Sequence, residues 1–272
     1  MIWIVAAAVA IALGGLAWGW FEAGWVRLAT VPVELERLPA ELDGLRVVHL
    51  ADFHLGVPSR GVRAVERAVA WTAERRPDLV LLSGDLLSRP AGEPRLRQLL
   101  ARIPGCYAVL GNHDLALSRD PFSEPVQLRD LEPGHLLLDE DVILELRGKR
   151  VQIVGVDPRT YLAGESRPAE RADAAADLRI LLCHFPRVVD GLPPGAFDLV
   201  LAGHLHDGQI SIPYPGGKIR FAHMSWRGPR ANGIFRRPGG TLHLSSGLGT
   251  TFVPFRFAAR PEATELVLRS AR

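Results

Sequence analysis

Five times along the chain a short apolar run stops at a turn built from aspartate, asparagine or histidine. Leu45 to Ala51 ends at Asp52-Phe53-His54, Leu79 to Leu82 at Gly84-Asp85, and Cys106 to Leu110 at Gly111-Asn112-His113-Asp114. Leu178 to Leu182 ends at Cys183-His184, and Leu199 to Ala202 at Gly203-His204-Leu205-His206. Apolar runs of this length, closed by turn residues, read as buried strands. Helical spacing separates the first three: Val62, Val65, Ala68, Val69 and Thr72 share a face of the segment 62–75, and a second helix is expected over Leu96 to Ile103. Strand, helix, strand, helix, strand is the α/β pattern, and such sheets carry their ligand residues at the carboxyl ends of the strands.

The rest of the chain fits around this frame. Residues 115–131, with Pro121 and Pro125, are irregular and suit a lid or specificity loop. Strands are expected over 135–138, 142–147 and 150–156, a helix over Arg167 to Ala176, and short strands with Gly and Pro turns from Lys218 to Leu268. There is no internal repeat. One catalytic domain of two sheet layers flanked by helices, over residues 44–272, is the economical architecture.

The amino end has another character. Ile2 to Phe21 carries no charge, which is about the length that crosses a bilayer as a helix. Trp3 at one end and Trp18, Trp20 and Trp25 at the other suit an interfacial aromatic belt. A cleaved signal peptide is the rival reading; it wants basic residues before the apolar run and a small-residue cleavage site after it, and neither is convincing here. A membrane anchor over residues 1–26 and a juxtamembrane link over 27–43 are therefore expected, with Val31-Pro32-Val33-Glu34-Leu35 in the link alternating like a short strand. Arg27, Arg37 and Arg46 follow the span and none precedes it, which tips the domain toward the cytoplasmic face. So few charges leave the extracytoplasmic face open.

The turn residues point to a metal site. A dinuclear centre needs oxygen and imidazole ligands from several directions and one carboxylate able to bridge two cations. Asp-x-His and His-x-His can aim neighbouring side chains at one metal or at two. Each fragment is weak alone, since Gly-Asp is an ordinary turn. The order Asp-x-His, Gly-Asp, Gly-Asn-His-Asp, His, Gly-His-x-His, each after an apolar strand, is far more specific. Cys106 and Cys183 lie inside apolar runs and read as buried free thiols rather than as a disulfide or thiolate ligands. A formal net charge of +2 makes no whole-chain case for a nucleic-acid partner.

In that order of motifs the chain resembles the calcineurin-like metallophosphoesterase superfamily, over roughly residues 44–269. The resemblance implies a four-layer αββα sandwich, here preceded by the transmembrane helix, and two divalent cations, with manganese, iron, zinc and magnesium all compatible. It implies Asp52, His54 and His206 on the first metal, Asp85 bridging, and Asn112, His184 and His204 with Asp85 on the second. His113 would be the uncoordinated imidazole that binds the phosphate and protonates the leaving oxygen, and Asp114 would orient it. The apolar anchor, Gly208-Gln209-Ile210 after the histidine pair, and Ser245 to Thr251 with Pro261-Glu262 look like the bacterial membrane-anchored YkuE/YaeI-like branch. That branch is similar to enzymes that cleave the pyrophosphate of UDP-2,3-diacylglucosamine in lipid A synthesis. A departure is Asp207, where glycine is expected: it either supports His204 or His206, or faces solvent.

Three functions stay in play. The first is a membrane-anchored hydrolase of a phosphodiester or pyrophosphate, with a lipid-linked nucleotide as its substrate. The second is a broad phosphodiesterase or phosphomonoesterase without a lipid substrate. The third is a non-catalytic scaffold, which would be expected to have lost ligands; none is missing. For His49, His135, His223 and His243 a core or surface role outweighs a ligand role, although His49 could lie behind the ligands. Lys218, Arg220, Arg227, Arg230, Arg236 and Arg237 form a denser basic segment that reads as a solvated hairpin face before a diphosphate site. Trp226 among them is a hint of base stacking.

Overall fold

The computed structural model of the chain describes residues 1–126, 128–215, 217–221 and 231–271. In order these form α1 (Ile2–Ala23), β1 (Arg27–Leu35), β2 (Arg46–Leu50), α2 (Gly61–Arg75), β3 (Leu79–Ser83), α3 (Glu93–Leu100), β4 (Tyr107–Val109), β5 (His135–Leu136), β6 (Asp141–Leu146) and β7 (Lys149–Gly155). There follow α4 (Pro158–Ala163), β8 (Leu178–Leu182), β9 (Leu199–Ala202), β10 (Ser211–Tyr214), β11 (Gly217–Arg220), β12 (Gly233–Arg237), β13 (Gly240–Leu244) and β14 (Glu262–Ser270).

Two six-stranded sheets, in the orders β1-β14-β2-β3-β4-β5 and β12-β13-β9-β8-β7-β6, face each other, and β10 and β11 make a separate hairpin. The parallel run β2, β3, β4 in one sheet and β7, β8, β9 in the other are the apolar segments of the sequence. Strand alternation sorts their side chains between cores. Val47, Leu81 and Val109 meet Ile153, Ile180 and Leu201 between the sheets. Val48, Leu50 and Leu82 face outward onto Val65, Val69, Leu96 and Leu100 of α2 and α3. On the opposite outer face Leu181, Val200 and Leu242 pack against Val188, Val189 and Phe197, with Tyr161 of α4 at the edge. That outer layer is thin, α4 and short 3-10 turns at Pro168–Arg171 and Pro186–Gly191.

Two expectations need correction. The stretch 27–43 is not a link: β1 runs parallel to β14 from Arg27↔Glu262 to Leu35↔Ser270, and Leu38 and Leu42 enter the core between the sheets. Its alternating apolar residues are those of an edge strand whose partner lies at the other end of the chain. The segment 167–176 holds only a 3-10 turn, none of whose residues is buried. Its alanines favour helix, but without an apolar stripe to bury the helix has nothing to pack.

Helix α1 is exposed along most of its length and is long and apolar enough to cross a membrane. Its last turns are different, since Gly19, Glu22 and Ala23 are buried against the domain. The Arg256 N–H donates to the Gly19 carbonyl (3.0 Å), and the Ala259 N–H to the Glu22 carboxylate (2.8 Å). A side chain at Gly19 would run into the Phe257 ring. The helix is thus seated on residues 255–259.

Candidate dinuclear metal site

The polar turns after β2, β3, β4, β8 and β9 all open at the same edge of the two sheets. Asp52, His54, Asp85, His184 and His206 are buried there, and Asn112 and His204 are half-buried. Asp52, His54 and His206 offer ligand atoms within 4.8 Å of one another, and so do Asp85, His184 and His204. In the first group His54 Nε2 faces His206 Nε2 at 3.1 Å. In the second, His184 Nε2 faces His204 Nδ1 at 3.0 Å and Asn112 Oδ1 at 3.1 Å. Asp85 joins the groups: its Oδ2 lies 3.2 Å from His184 Nε2 and 3.6 Å from His54 Nε2.

The donor chemistry fits metal ions. His184 Nδ1 is 2.9 Å from the Ser83 carbonyl, which can only accept, so Nδ1 carries the proton and Nε2 presents its lone pair. His54 Nδ1 is likewise engaged, by the Ser88 hydroxyl at 2.9 Å. Imidazole lone pairs and an amide oxygen turned toward one another at about 3 Å repel unless positive charge lies between them.

The ionisation of the cluster says the same. Burial pushes the Asp52 carboxyl up to about 7; His184 works against that shift and the Asp85 charge adds to it. Burial would also raise Asp85, but His184, His113 and His54 hold it well below the usual carboxylate range. Burial would lower His184, and the Asp85 and Asp52 carboxylates overturn that and hold it up to about 9. Carboxylates that keep an imidazolium protonated at that pH are carboxylates short of cationic partners.

The backbone is bent to make this possible. Asp52, His54, Asp85, His204 and His206 have φ between 48° and 75°, a region that non-glycine residues occupy at a cost. Glycine next to the ligands is a matter of space. A Cβ on Gly111 would collide with the Asp85 carboxylate, and one on Gly203 would come within 2.6 Å of Asp52 Oδ2.

His113 forms a third such group with His54 and Asp85, their ligand atoms within 4.8 Å of one another, its ring 4.5 Å from that of His54 and its backbone N–H on Asp85 Oδ1 at 2.8 Å. Among the described residues, no hydrogen bond joins Asp114 to the His113 ring. The Asp114 carboxylate instead accepts the N–H groups of Gly111 (2.9 Å), Leu86 (3.1 Å) and Leu87 (2.8 Å), tying the turn after β4 to the turn after β3. The partners of His113 come from the loop expected to be a lid: Ser123 Oγ lies 2.7 Å from Nδ1 and Ser118 Oγ 3.0 Å from Nε2. The Asp114 oxygens are turned to those three N–H groups, while the two ring nitrogens of His113 are met by the hydroxyls of the loop.

Residues that the sequence did not mark complete the site. Ser88 holds His54, and its place in the Gly84-Asp85 turn was a usable signal. Arg256 is fully buried and donates to the carbonyls of Ser246, Gly249 and Ala259. Its Nη2 also comes within 3.3 Å of His206 Nδ1. Nothing in Phe255-Arg256-Phe257 announces that role.

His49 and His243 are a buried pair (Nδ1 to Nδ1, 2.8 Å), and His49 Nε2 reaches the Ser83 hydroxyl at 2.9 Å, one bond network behind His184. Burial lowers both imidazoles, so they are neutral core residues. His135 stacks on Tyr107 at the surface. Asp207 neither faces solvent nor supports the histidines: it is buried and paired with Lys218 and, at 3.7 Å, Arg220, anchoring the β10–β11 hairpin. Arg236 pairs with Glu34 and Glu36, and the Arg237 guanidinium lies over the Phe235 ring, 5.9 Å from its centroid. His223, Trp226, Arg227 and Arg230 lie outside the described residues. Cys106 and Cys183 are buried free thiols, their pKa pushed up to about 12 by burial.

Comparison with known proteins gives the same picture. The family model described as calcineurin-like phosphoesterase matches residues 45–208. A Danio rerio transmembrane protein with metallophosphoesterase domain is 30% identical over 90% of this chain, which spans 58% of that protein. The Escherichia coli phosphodiesterase YaeI is 25% identical over 92% of this chain and 89% of its own length. The Chlamydia trachomatis UDP-2,3-diacylglucosamine pyrophosphatase LpxG is 26% identical over 91% of both chains.

Proposed function

The chain belongs to the calcineurin-like phosphoesterase family and is a metal-dependent phosphohydrolase, and on that premise we propose that it is membrane-anchored and cleaves a phosphodiester or pyrophosphate bond of a lipid-linked nucleotide. The observation that carries the hydrolase reading is the position of Asp85 between the His54–His206 and His184–His204 groups. In this reading Asp52, His54 and His206 hold one divalent cation, Asn112, His184 and His204 hold the other, and Asp85 serves both. Cations bound there supply Lewis acidity, drawing charge from the phosphoryl oxygens and acidifying water.

The protein's own groups divide the remaining work. His113, held by Ser123 at Nδ1, presents Nε2 to the phosphate and protonates the leaving oxygen; the Ser118 hydroxyl now on Nε2 is the partner that this oxygen replaces. Asp114 keeps the turn that carries both Asn112 and His113 rigid against Asp85. Ser83 and Ser88 fix the rings of His184 and His54.

The lipid part of the proposal rests on α1 and on the likeness to LpxG over most of both chains. The residues over 1–26 act as the anchor in this reading, and Arg27, Arg37 and Arg46 favour the cytoplasmic face for the domain. The test is purification of the full chain in detergent with manganese, and assay of UDP-2,3-diacylglucosamine beside an aryl phosphodiester. Release of UMP from the first is expected. Cleavage of the aryl ester alone would replace this reading with that of a broad phosphodiesterase, and cleavage of neither would remove both.

A further inference from the structure

A cavity of about 260 Å³ lies beside the loop that holds His113, between segments 57–59 and 250–254 and capped by Phe122. We propose that it receives an acyl chain, that of a lipid phosphate whose head is bound at the metal site. The inference rests on the phosphohydrolase reading above and adds where the apolar part of the substrate goes.

The chemistry of the walls comes first. Charged and polar residues border the cavity, but most of their polar atoms are already engaged. The Asp120 carboxylate accepts the N–H groups of Phe122 and Phe252, each at 2.9 Å. The Arg89 guanidinium donates to the Phe122 carbonyl at 2.6 Å and pairs with Glu124. The Thr250 and Ser59 hydroxyls bond each other at 2.7 Å, and the Gln209 amide donates to the carbonyls of Thr251 and Val253. Val57, Pro58, Phe122, Phe252, Val253 and Pro254 are left to make most of the lining, and a largely apolar lining binds hydrocarbon better than water.

The surroundings name the source of that hydrocarbon. The wall 250–254 continues into Phe255, whose ring meets Trp20 of α1 at 6.3 Å between centroids, and into Arg256, whose N–H sits on the Gly19 carbonyl. The wall 57–59 continues into Arg60, whose guanidinium lies 5.7 Å from the Phe21 ring centroid. Both walls therefore grip the end of the helix that is apolar enough to cross a membrane. At the mouth Phe122 is 52% exposed, Phe252 48% and Val253 37%, side chains that an aqueous domain has no reason to display together. On the inner side, Asp120 and Phe122 belong to the same loop as Ser118 and Ser123, the hydroxyls on His113. The cavity thus lies between the residues that seat α1 and the loop that carries the hydroxyls on His113.

The test uses the full chain in lipid nanodiscs with manganese and a series of alkyl p-nitrophenyl phosphodiesters from methyl to dodecyl. In the native protein kcat/KM should rise by about fourfold for each methylene buried, until the cavity is full. In V57W, which fills the cavity, and V253D, which charges its mouth, the dodecyl-to-methyl ratio should fall at least tenfold. Reading the ratio within each protein cancels any general loss of activity. A flat series in the native protein, or the same rise in both variants, would overturn the cavity proposal while the hydrolase reading stood. Should no ester be cleaved, the hydrolase reading falls, and photo-crosslinking decides the cavity by itself. Dodecyl phosphate with a diazirine at its terminal carbon should label segments 57–59 or 250–254, competed by excess dodecyl phosphate. Labelling confined to α1 would reject the site.

Discussion

Asp85 is the residue on which the site depends, and its neighbours show how little freedom it has. Oδ1 is held by the His113 N–H and Oδ2 by the two imidazole groups, while Gly111 leaves no room for the carboxylate to move. The smallest change that tests this is Gly111→Ala, whose methyl group displaces Asp85 without removing a ligand. Elemental analysis should find one or both metals lost, and full occupancy would show that the carboxylate can shift without harm. His113→Ala makes the complementary test. It should keep its metal content and lose about 10² or more in turnover, the usual size of a proton-transfer contribution; normal turnover in the metal-replete variant would remove His113 from the reaction. Ser123→Ala should lower turnover with little change in Tm, whereas Asp114→Ala, which frees three backbone N–H groups, should lower Tm. If the two results were exchanged, Asp114 would after all be the orienting residue. Metal-ligand types at strand ends are readable because the strand itself fixes where they point. The pairing of Ser123 with His113 is not, because it depends on how an irregular loop folds back.

Among the elements, α2 and the five apolar strands follow from periodicity, since each buries a face that its own residues define. β1 shows where that reasoning stops: its alternation is visible, but its partner β14 is paired through Arg27 and Glu262, 235 positions apart. The helix expected over 167–176 had propensity without a surface to bury. α4 was not expected: it starts at Asp157-Pro158, where Asp157 accepts the Arg159 N–H at 2.8 Å, and stops at Gly164. The seating of α1 is a property that composition could not reveal, because an apolar helix reads the same whether free or docked. Gly19→Val isolates it. The new side chain meets the Phe257 ring and should cost roughly 1–3 kcal/mol, as overpacking does. That cost should appear as a lower Tm for the full chain in detergent. An unchanged Tm would mean that α1 is not seated on residues 255–259.

At the scale of the molecule, the two sheets are held at one edge by a cluster of buried carboxylates and imidazoles that needs cations. Ligands that bind only the folded state stabilise it by mass action, so chelation should lower Tm. The pH dependence of that drop carries more information. His184 has its folded pKa raised to about 9 from an ordinary 6.5, by carboxylates that outweigh its burial. A raised pKa contributes stability that is complete below pH 6.5 and is lost as pH climbs through 9, where the folded protein releases the proton too. In the metal-free chain the imidazolium is thus a partial stand-in for the missing positive charge, and it fails in alkali. Asp52, raised from 3.8 to about 7 chiefly by burial, makes its own loss earlier, between those two values, and has little left to lose above pH 7. With metal bound, the carboxylates are neutralised by a charge that does not titrate in this range. The gap in Tm between metal-loaded and chelated protein should therefore widen steadily from about pH 6.5 to 9, measured by differential scanning calorimetry with manganese or with chelator. A gap that stayed constant across this window would mean that His184 does not face a cation, and the assignment of the second metal group would have to be rebuilt.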